Sequence, residues 1–342
     1  MKALYFEKHG GPDQYRFGEV KKPDARVGEV LVRVRACALN RLDIWVREGW
    51  PGLRLPMPHW SGADVAGEIA GVGEDVNGFR IGQRVVVDPG ISTVQDAYTG
   101  RGLDSMSPGY HILGEQTRGG GAEFVAVPAC NIYPFPDDID FPAAAAPLLV
   151  SLTAWRMLIH QARLRAGESV LIVGAGGGVN SMAIQIARLA GAKVYVVAGN
   201  ARKAEGAASL GADAVVDRSR EDWGRAAYLL TNKKGVDVVV DNVGAATLET
   251  SLKTVSRGGR VVLVGNTSGP RVNVDLRYFF SKQISLVGST MGSHQDFREV
   301  TALLWAGKLK PVIDSIMPLS DGIRAYARME EGAHFGKIVL VP

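Results

Sequence analysis

The chain has 342 residues, which argues for two domains, each large enough to bury its own core, and excludes a single small module. Hydrophobic residues make up 46% and charged residues 22%, near globular averages, so wholesale disorder, collagen-like and coiled-coil architectures are excluded. The net charge of +4 is mixed along the chain with no basic run, so no nucleic-acid partner is expected.

Glycine is in excess, 42 of 342, which points to tight turns or to backbone that approaches a ligand closely. Only two cysteines occur, Cys37 and Cys130, too few for a disulfide framework or a four-thiolate metal site, so a reducing compartment is expected. The first residues, MKALYFEKHGG, have no apolar run behind them. Neither a signal peptide nor a membrane anchor is therefore expected, and the location expected is cytoplasmic.

Residues 1–150 are rich in short strands. Val30, Val32 and Val34 alternate with Leu31, Arg33 and Arg35, RVVVD at 84–88 is a short apolar run, and Gly and Pro punctuate repeatedly, which predicts an antiparallel barrel or sandwich. Cys37, between Ala36 and Ala38 on a predicted strand, reads as a buried thiol. At 141–155, FPAAAAPLLVSLTAW leads into a helix continuing through Met157, Leu158 and Ala162, and a domain boundary is placed there.

From residue 168 the rhythm becomes strand, helix, strand: SVLIVG, a helix through MAIQIARLAG, KVYVVA, a helix through ARKAEGAASLG, AVVD, VDVVVD, a helix through ATLETSLKTV, GRVVLVG and ISLVG. Such alternation predicts a doubly wound parallel (Rossmann) sheet, an α/β domain covered on both faces. Residues 169–187 carry no charge, but four glycines, Asn180 and Gln185 suit a strand, turn and helix start better than a membrane span. After Met291 the chain has helical character at 299–304 and ends in a strand at Lys337–Val341.

VLIVGAGGGVNSMAIQIAR sets Gly174, Gly176, Gly177 and Gly178, with Val179 and Asn180, where the first Rossmann strand passes into its helix. A pyrophosphate can sit there against unpaired helix N–H groups, and Gly is needed because a Cβ would block the approach. The third glycine of the usual pattern is replaced, so the turn reads Gly174, Gly177, Asn180. At the end of the second strand an acidic residue normally binds an NAD ribose. Here Ala198, Gly199 and Asn200 stand there, with Arg202 and Lys203 beyond and Arg218 past the third strand, a set that accepts a 2′-phosphate and predicts NADP(H). Read otherwise, these cations are ordinary solvated charges.

Across essentially its whole length the chain resembles the medium-chain dehydrogenase/reductase superfamily of zinc alcohol dehydrogenases and quinone reductases. The resemblance rests on ALNRLDIW (38–45), GADVAGEIAGVGEDVNGFRIGQRVVV (62–87), GGGAEFVAVPA (119–129), DNVG (241–244) and GKIVLV (336–341), in this order. It implies a chaperonin-10-like (GroES-like) catalytic domain from 1–150 and 291–342, with the dinucleotide-binding domain, 151–290, inserted. It also implies that Thr153, Asn242, Val243, Gly244, Gly265, Asn266, Thr267, Ser289, Thr290 and Met291 line the cofactor.

In the resemblance, the catalytic zinc ligands fall on Asn40, Ala63 and Leu149, and only Asp64 keeps the acidic position that follows the His. Such a set does not coordinate zinc. The four structural-zinc cysteines fall on Thr93, Asp96, Thr99 and Ser107, again without a thiol, and packing of Tyr98, Met106 and Tyr110 is expected to hold the loop. No zinc is therefore expected. Asn40 also matches the zinc-free quinone reductases, where its amide would bind nicotinamide or a substrate oxygen; in the plainer reading it satisfies turn backbone. Asn40, Asp43 and Asp64 are the catalytic candidates. Trp45, His59 and Trp60 are the candidates for a substrate wall, although aromatics at such spacing also suit plain core. Leu42 stands where alcohol dehydrogenases place the first hydroxyl of a proton relay.

These features predict an NADPH-dependent reductase that passes hydride to a small-molecule quinone, enone or ketone without a metal, as a homodimer or homotetramer with no membrane partner. Two rivals remain: an alcohol dehydrogenase acting on a bulky secondary alcohol, and a non-enzymatic NADPH-binding protein.

Overall fold

The computed structural model describes residues 1–342 and divides into two units, Met1–Leu149 with Gly292–Pro342, and Val150–Met291. In the first unit, β1 (Glu29–Ala38), β2 (Asp64–Val72), β3 (Arg84–Val87), β4 (Phe124–Pro128) and β5 (Ile132–Pro134) pair antiparallel, with β4 against β1. Val30, Val32, Val65, Ile69, Val85 and Val127 are shut from water between them, the inward half of the alternating pattern. Between β1 and β2 lies helix α1 (Arg41–Glu48), which the strand-rich reading does not contain. Its first turn holds Asp43, whose carboxylate accepts the Asn40 backbone N–H at 2.8 Å, a charge well matched to a helix N-terminus.

The second unit carries the six-stranded parallel sheet: β6 (Ser169–Val173), β7 (Lys193–Ala198), β8 (Ala214–Asp217), β9 (Val236–Asp241), β10 (Val255–Leu263) and β11 (Ser285–Gly288), in the spatial order β8-β7-β6-β9-β10-β11. Val170, Leu171 and Ile172 have no exposed surface, as a strand covered on both faces requires. Its crossovers include α2 (Gly178–Leu189), α3 (Ala201–Ser209), α4 (Trp223–Leu230) and α5 (Leu248–Thr254). Helix α4 fills the crossover between AVVD and VDVVVD, and α2 starts four residues earlier than MAIQIARLAG suggests, on Gly178 itself. The segment 169–187 is thus a strand, turn and helix rather than a membrane span. The helix Leu148–Trp155 does not continue as α: it widens into a π-helical turn over Arg156–Gln161.

The chain then returns to the first unit through α6 (His294–Trp305), β12 (Ile313–Pro318), α7 (Gly322–Glu330) and β13 (Lys337–Val341). Strand β13 pairs antiparallel with the end of β1, Val339 opposite Ala38 and Leu340 opposite Cys37. That register sets Lys337 beside the turn that opens α1.

Candidate functional site

In the parallel-sheet unit, the turn after β6 holds Gly174 at φ +97, a conformation that suits glycine. Gly177 is the N-cap of α2 and offers no side chain to the first N–H groups of that helix, which leaves them for an anion. Gly178 and Val179 form the first turn. Asn180, in the third glycine's place, locks the turn: its Nδ2 donates to the carbonyls of Val173 (3.0 Å) and Gly174 (2.7 Å), and its Oδ1 accepts from Asn242 Nδ2 at 2.7 Å.

Cations gather at the ends of β7 and β8. A Cβ on Gly176 would meet Lys203 Nζ at 2.9 Å, so that ammonium lies over the glycine turn, and one on Gly199 would lie 3.7 Å from Arg218 Nε. Burial first, then Arg218 and Arg202, make Lys203 release its proton more readily than an ordinary lysine. An incoming anion would relieve that repulsion. Asn200 caps α3, its Oδ1 accepting Lys203 N–H at 3.0 Å.

The wall opposite β7 is built on Asp241, which the sequence reading passes over. Its buried carboxylate accepts from the N–H groups of Val243 (2.9 Å) and Gly244 (3.1 Å) and from the hydroxyls of Thr247 (2.8 Å) and Ser251 (2.7 Å). The segment holding Gly265, Asn266 and Thr267 lies against it, with Thr267 N donating to the Asn242 carbonyl at 3.4 Å. Asn242 Oδ1 and Ser289 Oγ are buried without a hydrogen-bond partner, a cost that a bound ligand's donors would remove. Thr153 Oγ1 lies 3.8 Å from Met291 Sδ, with both side chains buried, while Thr290 is exposed. This donor set fits a dinucleotide: free helix N–H groups for pyrophosphate, cations for a further phosphate and unsatisfied polar atoms along the wall.

In the first unit, Asn40, Asp64 and Lys337 form one buried network. Lys337 Nζ donates to Asn40 Oδ1 at 2.6 Å and to Asp64 Oδ2 at 2.8 Å, and Asn40 Nδ2 donates to Asp64 Oδ2 at 2.9 Å. Asp64 Oδ1 accepts the backbone N–H of Leu149 at 2.6 Å. The Asn40 amide is therefore engaged inside the protein through both its oxygen and its nitrogen. Lys337 is missed by the sequence reading although GKIVLV contains it. Asp43 is pushed up to about 6, mainly by burial.

Zinc does not fit here. Ala63 and Leu149 offer no ligand atom, the Asn40 oxygen is occupied, and the Lys337 ammonium would repel a metal cation at the same point. The loop at 93–107 also closes on itself. Asp96 accepts from Tyr98 N–H (2.8 Å), Thr99 N–H (2.9 Å) and Ser107 Oγ (2.7 Å), bonds that hold its carboxyl below the usual range. Tyr98 and Met106 are exposed, so they do not hold this loop as expected; Tyr110 does contribute, its hydroxyl donating to the Gly292 carbonyl at 3.2 Å.

Two of the three substrate-wall candidates are core residues instead. His59 has no exposed surface: it lies 5.4 Å from the Phe6 ring, its Nε2 is 3.2 Å from the Gly114 carbonyl, and burial lowers its pKa to about 4. Trp60 packs with Ala3 and Ala122 beneath Arg118. Trp45, on α1, is half-buried and remains available. Leu42 packs against the buried cluster of Leu39, Ile44 and Leu340 and carries no relay hydroxyl.

Comparison with known proteins matches residues 26–137 to the family described as alcohol dehydrogenase GroES-like domain, and 178–306 to the family described as zinc-binding dehydrogenase. The chain is 33% identical to the quinone oxidoreductase of Mus musculus, over 100% of this chain and 98% of that protein. Among solved structures, an NAD-dependent alcohol dehydrogenase superposes with TM-score 0.96 at 39% identity, over 100% of both chains. A cobalt- and zinc-bound thermostable alcohol dehydrogenase from Pyrobaculum aerophilum superposes at 0.90 with 33% identity, over 100% and 99%.

Proposed function

As a member of the medium-chain dehydrogenase/reductase superfamily this chain is an oxidoreductase, and we propose that it is an NADPH-dependent, metal-independent reductase of a quinone, enone or ketone. The observation that carries this reading is the Lys337 ammonium hydrogen-bonded to Asn40 at the point where a catalytic metal would need a ligand. NADPH, when bound, supplies a hydride.

The protein's part is positional. The free N–H groups of α2 and the cations Arg202, Lys203 and Arg218 bind the phosphates, and Asn180 holds the turn that presents those N–H groups. Asn40, Asp64 and Lys337 fix the start of α1, which carries Trp45 toward an apolar, flat acceptor. No side chain of this network is a base with free capacity: Asp64 already accepts three hydrogen bonds and Leu42 carries no hydroxyl. Removing a proton from a simple alcohol therefore lacks help, whereas a quinone or enone spreads the incoming charge over its own conjugated system. The likeness to a metal-bound alcohol dehydrogenase supports a second reading, a dehydrogenase of a bulky secondary alcohol.

The test is NADPH oxidation with a quinone, an enone and an aryl ketone, beside NADP-linked oxidation of simple alcohols, each with and without a strong chelator. The expected order places the conjugated acceptors first, unaffected by chelator. Best turnover with simple alcohols, or loss of activity with about one zinc per chain removed, overturns the reading; no turnover at all supports a binding protein.

Two further parts belong to the same proposal. Cys37 and Cys130 as free thiols support a cytoplasmic location. Edge strand β11 exposes Leu286, and the segment before it exposes Leu276 and Phe280, which supports a homodimer or homotetramer. Light scattering that returns a monomer refutes the latter.

A further inference from the structure

A second concave surface lies at the other end of the parallel sheet. A cavity of about 800 Å³ opens where the chain enters the strands, at Ser169 of β6, Lys193 of β7, Asp237 of β9 and Val255 of β10. Small-ligand sites have volumes of this order. The glycine turn follows the last residue of β6, at the opposite end of these strands, so the cavity is no part of the dinucleotide site.

Its lining is strongly one-signed. Lys193, Lys233, Lys234, Lys253, Arg257 and Lys282 surround it, against the single carboxylate of Asp237. That carboxylate is turned onto the sheet, accepting from Ser169 N–H at 2.8 Å and Ser169 Oγ at 2.7 Å. Lys253 is paired with Glu249 at 2.7 Å. With Lys253 set aside, the lining still carries an excess of four positive charges, as many as the net +4 of the whole chain.

Part of this charge is fixed in place. Lys282 Nζ donates to the carbonyls of Leu252 (3.2 Å), Lys253 (2.7 Å) and Val255 (3.1 Å), and Arg257 Nη1 donates to the Ser281 carbonyl at 2.6 Å. Burial and the neighbouring Arg257 make Lys282 release its proton more readily than usual, so this wall gains from an added anion. Tyr195 and Tyr228 supply aromatic surface beside the cations.

We propose that this cavity binds a small, multiply charged phosphate compound, either an inorganic polyphosphate or a phosphate ester. The cations converge on a concave wall instead of running in a stripe, which favours a compact anion over a nucleic-acid backbone.

The experiment is calorimetric titration of the NADPH-saturated protein with inorganic tripolyphosphate, with a sugar bisphosphate and a single-stranded oligonucleotide as further arms. The expected result is one equivalent of tripolyphosphate bound per chain, weakened about tenfold or more in Lys193→Glu/Lys234→Glu and in Arg257→Ala, with NADPH affinity unchanged. Tighter binding of the sugar bisphosphate identifies an ester as the ligand. The proposal is overturned if tripolyphosphate does not bind the NADPH-saturated protein, if its affinity is the same in both variants and the parent, or if only the oligonucleotide binds.

Discussion

Lys337 Nζ lies 2.8 Å from Asp64 Oδ2, and the two side chains, 273 residues apart in the chain, are 4% and 0% exposed. A pair this deeply desolvated is maintained only if the remaining polar atoms are also satisfied, and Asn40 and the Leu149 N–H do this. The last strand of the chain is thereby tied to the turn that opens α1.

Removing one partner leaves the other charge buried alone. Lys337→Met is expected to cost about 3–5 kcal/mol of stability, and Lys337→Met/Asp64→Asn less than the sum of the two single variants. Calorimetry or chemical denaturation checks both; an unchanged midpoint in Lys337→Met means the pair does not hold the network.

Arg218 stands beside Gly199 and within electrostatic reach of Lys203. Arg218→Ala is expected to weaken NADPH binding about tenfold, since a charge-assisted contact contributes roughly 1.5 kcal/mol at a partly exposed rim, and to leave NADH nearly unchanged. Fluorescence titration with both cofactors decides the matter. Equal losses for the two would remove the 2′-phosphate role.

The loop at 93–107 is held by the Ser107 to Asp96 bond. In Ser107→Ala, faster proteolysis and faster amide exchange are expected within this loop while the global melting point barely moves, because Asp96 is only half-buried and its bonds lie within the loop itself. Protection equal to that of the parent protein would show that the loop is held elsewhere.

His294 Nδ1 lies 2.7 Å from Asp88 Oδ2, with Asp104, Tyr110 and Arg298 nearby. The Asp88 hydrogen bond raises the His294 pKa above the ordinary 6.5, and burial raises that of Asp88. The folded protein therefore holds the imidazole proton more tightly than the unfolded chain. The stabilisation is complete below pH 6.5 and is lost as pH rises through the raised folded value. His294→Gln is expected to flatten the fall in stability from pH 6.5 upward. Denaturation midpoints across that range check it, and parallel pH profiles for the two proteins would exclude the pair as the cause.

Local signals made part of this protein legible. Short β-branched runs and intervening amphipathic segments report their own period, so the six parallel strands can be read from residues 169–288, and the glycines after β6 announce a turn that admits an anion. The helix Trp223–Leu230 is harder to read, because it is short and exposes Tyr228, Leu229 and Leu230, apolar residues whose type suggests a buried face.

The sequence by itself determined the six parallel strands of residues 169–288, the glycine turn, the cations past β7 and the loss of every thiol and imidazole from the metal positions. Those are properties of residue type and spacing along the chain. Tertiary structure alone decided that Lys337 meets Asn40 and Asp64, that Asp96 finds Ser107, that His59 and Trp60 turn into the core, and that six cations from separate strands, helices and loops surround one cavity. Each of these depends on strand register or on the direction a side chain takes from its backbone. Such relations bring together residues up to 297 positions apart, and no local period encodes them.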